Sequence, residues 1–71
     1  MTTYEQTLRK DGRTRRFSIL KDEGGWRVVD RADTTVLHEA CYHDWHRVER
    51  ARRAFTIEMT ALRAEGWHDA T

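Results

Sequence analysis

Lys10-Asp11-Gly12-Arg13 constrains the fold of this chain more than any other stretch. Asp-Gly between two alternating segments is the strongest short-range hairpin signal, because a type I′ turn needs positive φ at both central residues. A two-residue loop also fixes the register. It pairs Lys10 with Arg13, Leu8 with Arg15, Gln6 with Phe17 and Tyr4 with Ile19. Residues directly opposite each other share a face, so Tyr4, Leu8, Phe17 and Ile19 form one apolar side. Glu5, Thr7, Arg9, Thr14, Arg16 and Ser18 form the other.

Two further strands follow. Lys21 to Gly25 is a polar, glycine-containing turn, after which Trp26 to Asp30 reads as a third strand, with Trp26 and Val28 inward and Arg27 outward. Arg31-Ala32-Asp33-Thr34 makes the next turn. A fourth strand runs from Thr35 to about Tyr42. Its two sets of alternating residues are similarly apolar, and Val36, Ala40 and Tyr42 are assigned to the core side.

From Trp45 the period changes from two to three and four. Val48, Ala51, Phe55, Met59 and Leu62 recur at helical spacing, which predicts a helix with one stripe against the sheet. Asp44 suits the N-cap and Gly66 the position just past the C-cap. Glu49 and Arg53 stand at the i,i+4 spacing of a favourable pair. The expectation is therefore an α+β fold in a single domain, residues 1–71. A four-stranded antiparallel β-meander over about residues 3–42 precedes one long helix over about 45–65, which packs on one face, and a short C-terminal tail.

The stretch Cys41-Tyr42-His43-Asp44-Trp45-His46, with His38 before it, resembles a ligand cluster but falls on the join between strand and helix. Zinc needs about four converging ligands. Strand parity sends His38 and Cys41 to opposite faces, and no second Cys or His pair completes a set. No metal site and no cofactor are expected. Tyr42 and Trp45 read as core residues, Asp44 as a cap, and Cys41 as a small buried thiol. Neither a cysteine–histidine pair in a cleft nor an isolated carboxylate pair emerges, so an enzyme is not expected.

Charged residues make up 35% of the chain, yet the formal net charge is +1. That balance lacks the basic excess of a dedicated nucleic-acid binder, although the arginines are unevenly placed. The lone cysteine excludes an internal disulfide. With no apolar leader and no apolar run long enough to cross a bilayer, the cytoplasm is the expected compartment and no membrane role is expected. Arg9, Arg16 and Arg27 should project from the outer sheet face among Thr7, Thr14 and Ser18, while Lys10, Arg13 and Arg15 add charge near the hairpin tip. Guanidinium groups on an open sheet suit phosphates. Arg9, Arg13, Arg15, Arg16 and Arg27 are accordingly the candidate contacts for single-stranded nucleic acid. The alternative is a protein-interaction or homodimer module using a second helix strip, Ala54, Ile57 and Ala61, continued by Ala64.

The "GGWR" strand and the ending "ARRAFTIEMTALRAEGW" loosely resemble the WGR domain, over roughly Tyr4 to Trp67. The resemblance implies an antiparallel sheet, a helix and a nucleic-acid-associated or protein-docking module. Trp26 and Arg27 are nearest to its signature, from which the glycine is missing. The strand-helix order is also similar to that of single-stranded-DNA-binding coactivator and Whirly modules, as an analogy of fold.

Overall fold

The computed structural model of the protein describes residues 1–70. Strands β1 (Thr2–Lys10), β2 (Arg13–Asp22), β3 (Gly25–Ala32) and β4 (Thr35–Tyr42) are followed by helix α1 (Trp45–Ala64) and a short strand β5 (His68–Asp69). All five strands lie in one sheet in the order β4-β3-β2-β1-β5. The architecture is the expected α+β arrangement of an antiparallel meander and one helix.

The first hairpin has the register that Asp-Gly dictates. Lys10 faces Arg13, Leu8 faces Arg15, Gln6 faces Phe17 and Tyr4 faces Ile19. Asp11 and Gly12 adopt φ of 50° and 78°, as a type I′ turn demands. At the second turn Gly25 has φ of 141°, and a Cβ there would fall onto the Tyr42 carbonyl oxygen. Only glycine lets β3 start so close to the end of β4.

The core lies between the sheet and α1. Leu8, Phe17, Ile19 and Val28 from the strands meet Val48, Phe55, Met59 and Leu62 from the helix. Phe17 and Phe55 contact at 5.0 Å between ring centroids, tilted by 55°. Each fully buried aliphatic or aromatic side chain contributes about 1.5–3 kcal/mol relative to exposure. The helix begins where Asp44 accepts a hydrogen bond from the His46 amide at 2.9 Å. It ends in a Schellman turn. Gly66 N donates to the Arg63 carbonyl, and Trp67 N donates to the Leu62 carbonyl. Trp67 then packs against the core.

Four expectations are corrected. The C-terminal tail is not free: β5 pairs with Leu8 and Arg9 of β1. Val36 does not face the core. Asp30 pairs with His38 but Arg31 pairs with Val36, so Leu37 is an extra residue in β4 and the alternation reverses across it. Trp45 is 43% exposed and meets only the edge of the core, through Trp26 at 5.3 Å. Cys41 is exposed, because it stands opposite Arg27 on the face that the helix leaves open. No helix is long and apolar enough to cross a membrane.

Candidate nucleic-acid interface

The outer sheet face is built row by row from the register. Thr7 of β1, Arg16 of β2, Arg31 of β3 and Val36 of β4 stand side by side in one row. Arg9 and Thr14 are paired in the next row toward the hairpin tip. In the other direction come Glu5, Ser18, Val29 and Glu39, then Leu20, Arg27 and Cys41. Arg9, Arg16 and Arg27 thus share this face as expected.

Arg31 joins them. Read from sequence as a turn residue, it lies in β3, which extends to Ala32. The signal was its spacing: Arg27, Val29 and Arg31 have the same strand parity, so a strand two residues longer exposes Arg31 on the same face as Arg27. Arg16 and Arg31 are directly opposite one another. Like charges in that relation repel, since side chains there start only about 5 Å apart.

The face is only partly neutralised. Glu5 lies 3.7 Å from Arg16 and Glu39 lies 3.8 Å from Arg27, with all four side chains about half exposed. Such pairs contribute little, of order 0–1 kcal/mol, and salt screens them. Among the described residues Arg9 and Arg31 have no ion-pair partner. Arg9, Arg16 and Arg31 line a shallow recess with Thr14, Asp33 and Thr34. The Asp33 carboxylate accepts from the Thr14 amide at 3.0 Å. No aromatic side chain belongs to any of these rows.

Arg13 and Arg15 depart from the expected set. Both pair with residues whose side chains point to the helix side. Arg13 lies over the Trp67 ring at 5.5 Å. Arg15 is largely buried beneath α1. Its terminal nitrogen donates to both Asp30 oxygens at 3.0 and 3.1 Å, and its guanidinium lies over Phe17 at 5.1 Å. Hairpin register already put Arg15 opposite Leu8, on the apolar side. Asp30, at the inward parity of Trp26 and Val28, was the partner that made an inward arginine tolerable.

Ala54, Ile57 and Ala61 are exposed on the helix, Ile57 at 72%. A further group of cations, Arg47, Arg50, Arg52 and Arg53, crowds the first half of α1. Arg52 sits over the Tyr4 ring at 5.1 Å. Glu49 and Arg53 form no ion pair among the described residues. His38 and Cys41 are on opposite faces, and among the described residues no group of three or more His, Cys, Asp or Glu side chains could hold a metal ion. No family model, curated protein or solved structure matches the chain.

Proposed function

We propose that the protein is a small binding module that holds the phosphate backbone of single-stranded nucleic acid on its open sheet face. The observation that carries this reading is the directly opposed Arg16–Arg31 pair, with Arg9 in the adjoining row, Glu5 as the pair's one ion-pair partner among the described residues, and Asp33 in the shared recess accepting from the Thr14 amide. Two guanidinium groups held together in this way repel until an anion lies between them, and guanidinium groups match phosphate oxygens in a bidentate fork. Arg27 stands four residues from Arg31 along β3, about 13 Å away, and extends the contact. Thr14 and Ser18 supply hydroxyl donors. A face spread over a five-stranded sheet is neither a helix nor a two-stranded ribbon that would enter a duplex groove, which favours a single strand. With no aromatic platform on this face, bases are not stacked, so recognition is of the backbone and tolerant of sequence. Of the two residues nearest to the WGR signature, Arg27 lies on this face and Trp26 on the other, so that likeness supports the reading through Arg27 alone.

The test is titration of a fluorescently labelled mixed-sequence oligonucleotide at low and moderate salt. Saturable binding that weakens as salt rises is expected. The double variant Arg16→Glu/Arg31→Glu should abolish it, and removing one phosphate contact should lower the log–log salt slope by about 0.7. Arg15→Met/Asp30→Leu, which removes the helix-side pair without leaving a lone charge, should leave it unchanged. Absence of binding at low salt, or unchanged binding by the double variant, overturns the proposal.

A further inference from the structure

Strand β4 is an edge: β3 pairs with it on one side, and among the described residues nothing pairs with it on the other. Alternate residues along such a strand present unpaired backbone N–H and C=O groups. Edge strands are commonly guarded by lysine, proline or a bulge. Here the bulge at Leu37 guards the first part, while His38 to Tyr42 is regular and carries neither lysine nor proline. That same unguarded half borders a groove of about 430 Å³ between β4 and α1. Tyr42, Ala51, Ala54 and Phe55 give its lining an apolar part, and Arg47, Arg50 and His38 a polar part. Among the described residues neither arginine has an ion-pair partner. Ile57 and Ala61 follow Ala54 at i+3 and i+7 and are exposed on the helix, outside the groove's lining.

We infer that the β4 edge and this groove together receive an extended acidic peptide segment, which adds to the sheet as a further strand. Backbone hydrogen bonds to His38–Tyr42 supply the register. Alternate side chains of the added strand enter the groove, apolar ones on Ala51, Ala54 and Phe55 and carboxylates at Arg47 and Arg50. Charge selects the occupant. A second copy of this chain presents the same cationic lining to itself. The one carboxylate on its β4, Glu39, lies on the opposite face beside Arg27. An acidic partner meets no such repulsion, and the site is separate from the arginines of the outer face.

The probe is a seven-residue peptide with glutamate, leucine, leucine and glutamate on one strand face and threonine on the other, followed by amide-shift mapping on the intact protein. Saturable binding with a dissociation constant below about 1 mM is expected, with shifts at His38–Tyr42 and Arg47–Ala54. Replacing the glutamates with lysine should abolish binding. Methylating the peptide nitrogens of one alternate set should abolish it as well, while methylating the other set should leave it intact, because only one set faces the β4 edge. Ala54→Glu brings a carboxylate beside Arg47 and Arg50 from an exposed position and should lower affinity at least tenfold with the spectrum of the fold retained. No saturable binding overturns the inference, as do equal affinities for the two methylated peptides. It is also overturned by a protein that elutes as a dimer which Ala54→Glu dissociates, since a second copy then occupies the groove.

Discussion

Replacing Asp30 with alanine isolates the one largely buried ion pair in the described structure. Arg15 and Asp30 keep 14% and 17% of their side-chain exposure, and Arg15 Nε is buried without a hydrogen-bond partner. Truncating one member of a fully buried pair costs about 3–5 kcal/mol, because the survivor is left as an uncompensated charge. Two features reduce that figure. Water reaches the remaining exposed part of the pair, and Glu58 lies 3.7 Å from Arg15 Nη1 as a weaker, half-exposed partner. Asp30→Ala should therefore cost about 2–3 kcal/mol. A chain of this size has only about 4–11 kcal/mol of total stability, so the melting temperature should fall by about 10–20 °C. By contrast, Arg15→Met/Asp30→Leu should lie within about 1 kcal/mol of the parent, since a flexible apolar side chain takes the place of the arginine stem over Phe17. Urea unfolding of the parent, Arg15→Met, Asp30→Leu and the double variant completes a double-mutant cycle, with Asp30→Ala measured beside it. An Asp30→Ala cost below about 0.5 kcal/mol refutes the reasoning, because the guanidinium would then be finding water freely.

Three other substitutions probe separate parts of the fold. Burial raises the Tyr4 hydroxyl above its ordinary value of 10.0, and the pull of Arg52 and Arg63 in the other direction does not cancel it. The unfolded chain thus loses this proton first: Tyr4 contributes stability that is fully present below pH about 10 and is lost as pH rises through the folded value. Stability measured on either side of that range should fall more in the parent than in Tyr4→Phe. Gly25→Ala should cost about 2 kcal/mol or more, from positive φ and the Tyr42 carbonyl, whereas Gly24→Ala, with no atom nearer than 3.9 Å to the new methyl, should cost less than about 1 kcal/mol by urea unfolding.

What the sequence disclosed follows the range of the interactions involved. The first hairpin was legible to the residue because Asp11-Gly12 fixes its register locally, and the helix was legible from its apolar period and from both caps. The inward face of β4 was not, because Leu37 forms a bulge only in relation to β3, and no residue type announces it. Two-residue β5 carries no periodicity and exists because the Schellman turn aims the chain back at β1. At the candidate site, Arg9, Arg16 and Arg27 followed from parity. Arg31 was lost by ending β3 too early. Arg15 was misplaced by counting charge near the hairpin tip, although the register had already turned it inward. Cys41 was assigned to the interior by residue type, against the parity that placed it beside Arg27.

The pairing of β5 with β1 also bears on how the molecule moves. Helix ends ordinarily fray, since their last turns are held by few contacts. Here the final turn of α1 leads directly into a strand, and Ala70 N donates to the Thr7 carbonyl at 2.9 Å. At its other end the helix begins with Trp45 against Trp26 of β3. Opening either terminus of α1 thus disturbs the sheet, and the helix is coupled to the strands as one cooperative unit. Slow hydrogen exchange should extend into the last helical turn, where an unanchored helix would exchange within its own local fluctuations.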